Sequence, residues 1–305
     1  MEVLDILVIE EKRNKNESTH VLILFKGKFK YFISNDKNGD KYLNNALVSY
    51  SMKHNLFKYI MKLIPDKLKV KIGIAKYVKL SFNEAVSKEI ALFNSLKSEK
   101  LNFNVLVGTY GKHQKLVLQL FDQGVINYHK IGTQNSSNQL INEIEFLDKY
   151  DNLIGQIMKL PKLISSEIKS KIFLMSTSEF NGKRVYPKFN RKIYLLFKDV
   201  TSIKEIKKDQ NGVYMAFSHG DFAPWNMRKI DDKILLFDWE YCGFRFYGFD
   251  MIHYIYQIET LLNKREHEVA LKIAIKSVKK YDGILNQMSD NLLTRLYEDE
   301  KRKIY

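Results

Sequence analysis

The stretch SHGDFAPWNMRKIDDKILLFDWE, residues 218–240, decides how this chain is read. Its middle is a hairpin, with a turn at Asp231-Asp232-Lys233 and the apolar strand ILLF returning from it. Polar side chains stand at both ends. His219, Asp221 and Asn226 precede the hairpin, whereas Asp238 and Glu240 follow it. Asp221 and Asn226 are five residues apart on a loop, and Asp238 emerges where the returning strand ends, so three oxygen ligands can converge on one point.

Hard divalent cations such as magnesium take oxygen ligands, and one carboxylate with one amide oxygen suffices when water and phosphate fill the other positions. If Asn226 and Asp238 serve in this way, Asp221 is free to accept a proton from an attacking hydroxyl. That division of labour is the phosphoryl-transfer arrangement of kinases.

HGDFAPWN followed by FDWE resembles the signature of the aminoglycoside phosphotransferase and choline kinase family, small-molecule kinases of protein-kinase-like fold. The resemblance spans roughly residues 104–300 and is densest from Ser218 to Asp250. It implies that Asp221 is the catalytic base, that Asn226 and Asp238 hold Mg2+, and that His219 braces the loop by hydrogen bonds. Glu240 matches the family's second acidic position. Asp250, in YGFDMIHY, matches the acidic residue that starts a helix and supports the loop, although an ordinary helix cap reads equally well.

A kinase also needs a strand lysine that reaches the phosphates and is held by a helix glutamate. Lys130, in VINYHKIG, lies thirteen residues before Glu143. Glu143 falls on the apolar sector of its helix with Leu140 and Leu147, while Glu145 and Lys149 point away. A carboxylate on a buried face is costly unless paired, so Lys130 is its expected partner. The turn Gly108-Thr109-Tyr110-Gly111-Lys112 offers backbone amides to nucleotide phosphates, with Gly108, Thr109 and Gly111 as the contacts, although the fuller glycine pattern of protein kinases is missing. The strand IFLM and the following Ser176 to Glu179 are the expected hinge, whose backbone meets the adenine.

The expected fold is α+β and bilobal, protein-kinase-like, with a small antiparallel-sheet lobe at 101–178 and a larger helical lobe at 179–305 that carries the catalytic loop. An additional N-terminal α/β module of unknown role takes up 1–100. Within it, residues 2–9 read as a strand and 21–33 as a hairpin turning at Lys26-Gly27-Lys28. A helix from about Tyr42 to Ile64 is stopped by Pro65, and a second starts at the capping box Ser81-x-x-Glu84. Three strands follow Asn102, with turns at Gly108 to Lys112 and Asp122 to Gly124; a helix capped at Ser136 covers 137–150. Beyond Pro187 the pattern is mostly helical, with three closing helices near 250–263, 266–281 and 289–303.

The composition agrees with two globular domains. The 305 residues are 45% hydrophobic and 28% charged, which excludes collagen-like and broadly disordered chains. Cys242 is the one cysteine, so no intramolecular disulfide or cysteine zinc site forms. The acidic start MEVLDILVIEEKR does not read as a signal peptide, and no apolar run approaches the roughly 20 residues of a membrane span, so a cytoplasmic location is expected. The net charge of +15 favours anionic partners. Without a helix-turn-helix, zinc-finger or RNP-like motif, nucleic acid is a poor candidate. Lys58 to Lys79 carries seven lysines against Asp66, which reads either as a solvated face or as peripheral contact with anionic lipid at the inner membrane face.

The expected activity is therefore transfer of the γ-phosphoryl of ATP, with Mg2+, to a hydroxyl of a sugar or related metabolite. Envelope polysaccharide or lipid-linked sugar metabolism is the suggested setting. Aminoglycoside, choline or ethanolamine kinases are alternatives, though a net +7 over residues 151–305 speaks against a polycationic acceptor. A non-catalytic kinase-like module that binds nucleotide, anionic lipid or nucleic acid is the other alternative. Glu240, Tyr241 and Arg245 are candidate acceptor groups. His253 and His267, fourteen residues apart, read as satisfied histidines, and Ser218 lacks the small-residue elbow of a hydrolase nucleophile.

Overall fold

The computed structural model describes residues 2–25, 28–35, 63–98, 102–122, 125–153, 155–178 and 182–304. The helix expected near 42–64, apart from its last two residues, and the expected turns at Lys26-Gly27 and Gln123-Gly124 lie outside them. The chain is α+β and divides into two compact units, Met1–Ile144 with Lys162–Glu179 and Glu145–Pro161 with Phe180–Tyr305.

The strands of the first unit are β1 (Leu7–Lys12), β2 (His20–Phe25), β3 (Lys28–Ser34), β4 (Ala75–Phe82), β5 (Asn102–Val107), β6 (Leu116–Asp122), β7 (Val125–Thr133), β9 (Leu163–Ile168) and β10 (Ile172–Thr177); β8 (Met158–Lys159) belongs to the second unit. Together they form one nine-stranded sheet in the order β1-β4-β2-β3-β5-β6-β7-β10-β9. Every pairing in it is antiparallel. The three-strand meander expected after Asn102 is present as β5, β6 and β7, and the N-terminal strands join it where Tyr31 and Phe32 pair with Leu106 and Val105.

Alternation of side chains gives this sheet two faces with different work. On one, Leu116, Leu118, Leu120, Ile131 and Leu174 are buried with Val3, Ile6, Val86, Ile90 and Phe93. These last five come from a 3-10 turn (Val3–Ile6) and from the segment that holds helices α2 (Glu84–Glu89) and α3 (Ala91–Ser98); α1 (Asp66–Lys71) precedes them. Each such side chain contributes about 1.5–3 kcal/mol when fully buried. The Val3–Ile6 turn and the α2–α3 segment thus cover the sheet face on which Ile131 lies. Its neighbour Lys130 projects from the other face, in register with Val117 and Met175.

Local signals differ from the sequence reading at two helix starts. Ser81 lies in β4, and the helix is capped instead by Asn83, whose Oδ1 accepts from Ala85 N at 3.0 Å. Helix α4 (Ser137–Lys149) is preceded by a 3-10 turn, Gln134–Ser136, and there Ser136 Oγ accepts from Thr133 N at 3.1 Å. Residues 2–9 are a 3-10 turn running into β1 rather than one strand.

The second unit has helices α5 (Arg191–Thr201), α6 (Phe249–Gln257), α7 (His267–Lys279), α8 (Gly283–Gln287) and α9 (Asp290–Ile304). Its remaining strands are β11 (Lys183–Arg184), β12 (Lys207–Lys208), β13 (Tyr214–Ser218), β14 (Met227–Ile230), β15 (Lys233–Leu236) and β16 (Gly243–Phe246). They form two small sheets, β11-β14-β15-β8 and β12-β13-β16. The hairpin expected around Asp231-Asp232 is β14 and β15, turning with Asp231 at φ 51°. The Asp199 carboxylate on α5 ties β8 down by accepting from the amides of Gln156, Ile157 and Met158 at 3.0, 2.7 and 2.8 Å. Trp239, fully buried, stacks on Phe146 at 4.1 Å and lies 4.6 Å from the His219 ring. That aromatic packing anchors both ends of the stretch from His219 to Trp239.

Candidate active site

The loop that follows β13 begins with His219 and Gly220, and its backbone is held by one carboxylate. Asp250, near the start of α6 and 1% exposed, accepts from Ser218 Oγ at 2.7 Å, His219 N at 2.7 Å and Gly220 N at 3.1 Å. Buried amides left unpaired would cost about 1–3 kcal/mol each, so this carboxylate fixes the path of the loop. Asp250 is therefore a loop anchor, going beyond a cap of its own helix. Gly220 has φ +89°, and a Cβ there would lie 2.2 Å from the carbonyl oxygen of Tyr241. The chain passes so close that only glycine fits.

His219 has no exposed surface, and burial holds its imidazole below the usual pKa against the pull of Asp250, Asp221 and Asp238. Its neutral ring accepts from Asp221 N at Nδ1 (3.2 Å) and donates from Nε2 to the Phe237 carbonyl (3.1 Å). The ring thus ties the loop to the residue just before Asp238.

Asp221 is the centre of the cluster. Asn226 Nδ2 donates to its Oδ2 at 2.9 Å and to its carbonyl at 2.9 Å, while His253 Nε2 lies 3.2 Å from Oδ1. Burial alone would push the Asp221 carboxyl up, but the hydrogen bonds from His253 and the Asn226 amide hold it below the ordinary carboxylate range. It is an ionised carboxylate on a loop whose backbone Asp250 holds.

Phe237 N donates to Asn226 O at 3.1 Å, extending the β14–β15 ladder by one rung, so Asn226 and Asp238 leave the same end of the hairpin. Asp238 has φ 75°, a left-handed conformation that costs an L-residue about 1–2 kcal/mol and turns the chain sharply there. Because Asn226 spends its Nδ2 on Asp221, its amide oxygen faces away from that bond. An amide oxygen and a carboxylate make an oxygen donor set suited to a hard divalent cation. Glu240 is half-buried in the turn Trp239–Tyr241 that follows. Burial raises the Tyr241 phenol, and Glu240, Asp221 and Asp238 raise it further. Arg245 Nε lies 3.9 Å from Glu300 on α9.

In the first unit, Lys130 Nζ donates to both Glu143 oxygens, at 2.9 and 2.6 Å, the pairing expected from the sequence. The glycine loop joins β5 to β6: Gly108 N donates to Lys115 O at 2.9 Å, and a Gly108 Cβ would meet that oxygen at 2.7 Å. Gly111 has φ +154°, and Tyr110 Oη donates to Phe29 O at 3.0 Å. Thr109 lies between these fixed points. Ser176 is buried and its Oγ lies 2.7 Å from His129 Nδ1, on the sheet face opposite Lys130.

Of the residues singled out in sequence, the structure brings Asp221, Asn226, His219 and Asp250 into one bonded group and Lys130 with Glu143 into another. His253, read from the sequence as a satisfied histidine, is indeed buried with partners on both ring nitrogens, and one of them is Asp221; it lies three residues after Asp250 on the same helix face.

No family model matches the chain, and no curated protein matches it in sequence. The structure is similar to aminoglycoside phosphotransferase APH(4)-Ia, with 8% identity over 71% of this chain and 93% of that one at a TM-score of 0.45. It is similar to aminoglycoside-3'-phosphotransferase of type VIII, with 12% identity over 65% and 93% at 0.45. A third similar structure is amicoumacin kinase hAmiN in complex with AMP-PNP, Ca2+ and Ami, with 13% identity over 58% and 72% at 0.35. Likeness at this level says nothing of substrate.

Proposed function

We propose that this chain is a small-molecule kinase that transfers the γ-phosphoryl group of ATP to an alcohol hydroxyl. The observation that carries the reading is the Asp221 carboxylate, ionised and held through both oxygens, on a loop whose amides are pinned by Asp250. Asp221 accepts the proton of the acceptor hydroxyl as the new O–P bond forms and the bond from Pγ to the bridging oxygen of ADP breaks. Asn226 and Asp238 would hold a divalent cation, with Mg2+ as the expected ion, whose chemistry is neutralisation of phosphate charge. Lys130, oriented by Glu143, would meet the phosphates, with the amides of Gly108, Thr109 and Gly111 beside them, and the backbone at Ser176 would meet the base. Catalysis then rests on positioning and charge stabilisation.

The acceptor is proposed to be a neutral or anionic sugar or related metabolite rather than a polycation, because the half of the chain that bears Asp221 carries a net +7. Asp221→Asn tests the core of the reading: nucleotide binding, followed as a magnesium-dependent rise in Tm, should persist while ADP release stops. Unchanged ADP release in that variant would remove Asp221 from the reaction. A panel of sugars, amino alcohols and one aminoglycoside then ranks the acceptors by ADP released.

A second reading concerns the basic run. Around α1, Leu63, Leu68 and Ile72 are 65%, 46% and 55% exposed, interleaved with the exposed Lys67 and Lys71. Apolar tips among lysines fit the interfacial layer of an anionic bilayer. Co-sedimentation with phosphatidylserine vesicles and not with phosphatidylcholine supports it, and equal binding to both, or binding to neither, dismisses it. Among the described residues no helix is long and apolar enough to cross a membrane.

A further inference from the structure

We infer that His253 is a positioning residue for the proposed phosphoryl transfer: held by the Tyr297 hydroxyl, it turns Nε2–H onto Asp221 Oδ1 and fixes the carboxylate for the incoming alcohol. The inference rests on the kinase reading above. His253 has no exposed surface and stacks on Phe249 at 5.5 Å and 14°. Its two ring nitrogens face different elements. Nδ1 lies 3.1 Å from Tyr297 Oη on α9, and Nε2 lies 3.2 Å from Asp221 Oδ1.

The tautomer follows from these neighbours. A carboxylate oxygen repels a bare nitrogen lone pair, so the proton belongs on Nε2, and a neutral ring then leaves Nδ1 to accept. Tyr297 is fully buried, and burial first, then the nearby Tyr256, Glu298 and Asp221, raises its phenol, so it stays protonated and can donate to Nδ1. Gln257 Nε2 lies 3.0 Å from His253 Nε2, and an amide turned end for end presents its oxygen to the same N–H. The Nε2 proton is then shared between Asp221 Oδ1 and the Gln257 amide oxygen, while Nδ1 accepts from Tyr297.

The consequence concerns the freedom of Asp221. Asn226 anchors Oδ2 from within the loop, and an anchor on the second oxygen narrows the last torsion of the carboxylate. His253 supplies the second anchor from α6. The same helix face carries Asp250, one turn earlier, which holds the amides of His219 and Gly220. One helix thus fixes the loop backbone through Asp250 and the reacting side chain through His253, and Tyr297 locks the second of these from α9.

Two substitutions separate this from space filling. Glutamine places a side-chain N–H where Nε2 stands, whereas asparagine places one only where Nδ1 stands. The assay is ADP release from ATP and Mg2+ with water as acceptor, so no alcohol need be known. Misplacement of a reacting group by about 1 Å costs on the order of 100-fold in rate. His253→Asn should therefore lower kcat about 100-fold with the ATP Kd unchanged, and His253→Gln should stay within about tenfold of wild type. Wild-type kcat in the Asn variant, or equal losses in both variants, would overturn the inference. An activity-independent arm uses protein labelled with 15N-histidine: the His253 proton should reside on Nε2, and residence on Nδ1 would overturn the bracing contact. If wild type itself releases no ADP with D221N as its control, the kinase reading falls on that arm, while the tautomer still decides the contact.

Discussion

Lys130 Nζ reaches both carboxylate oxygens of Glu143, at 2.6 and 2.9 Å, and the glutamate is 1% exposed. The pair joins strand β7 to helix α4 within the first unit. Removing the lysine strips a buried carboxylate of this ammonium, which costs roughly 3–5 kcal/mol, whereas removing both charges costs less because no buried ion remains. Lys130→Ala should accordingly lower the denaturation midpoint more than Lys130→Ala with Glu143→Ala. A double-mutant cycle by urea unfolding measures the coupling, and additive losses would show that the pair is not energetically linked.

Gly220 and Gly212 offer a matched comparison, with φ of +89° and +75°. A Cβ at Gly212 meets nothing within 4 Å, so Gly212→Ala pays only the left-handed backbone cost of about 1–2 kcal/mol. A Cβ at Gly220 lies 2.2 Å from a backbone oxygen, and the loop must move to admit it. Gly220→Ala should lose clearly more stability than Gly212→Ala and should also abolish ADP release, since Asp221 is the next residue. Thermal unfolding of both variants checks the order.

Asp250→Asn probes the anchor without changing its shape. The amide can accept through one oxygen only, and its NH2 must face the amide of His219 or the Ser218–Gly220 side, where donors already point at it. The expected cost is about 1–3 kcal/mol, the scale of a buried donor left without an acceptor. Turnover should fall along with Tm. A variant as stable as wild type would mean that the loop does not depend on this carboxylate.

These contacts show which parts of the molecule a sequence displays. The hairpin and its polar ends were readable because turn residues, alternation and the Asp221–Asn226 spacing are all local. Glu143 was readable because a charge in an apolar stripe demands an explanation wherever the helix packs. His253 was not, since its meaning lies in contacts to Asp221 and Tyr297, 32 and 44 positions away. Strand β4 escaped notice because Ser81 and Glu84 mimic a capping box while the backbone at Ser81 is paired to Val8. The union of β1–β4 with β5, β6, β7, β9 and β10 likewise depends on the pairing of β3 with β5, about seventy residues apart, which no local pattern encodes.

Two buried histidines in the first unit set an acid limit on stability. Burial lowers His20 from 6.5 to about 4 and His129 from 6.5 to about 4, with the Phe103 carbonyl opposing the shift at His20. The folded pKa lies below the unfolded one, so between pH 6.5 and 4 the unfolded chain binds more protons. The contribution of each ring to stability is complete above about pH 6.5 and is lost as the pH falls towards 4. At 1.36 kcal/mol per pKa unit the loss is on the order of 3 kcal/mol for each ring. The urea midpoint should therefore drop steeply from pH 7 to pH 4.5, and His129→Asn, which cannot take up a proton, should flatten that slope. An unchanged slope in this variant would show that His129 is already solvated or charged in the folded chain.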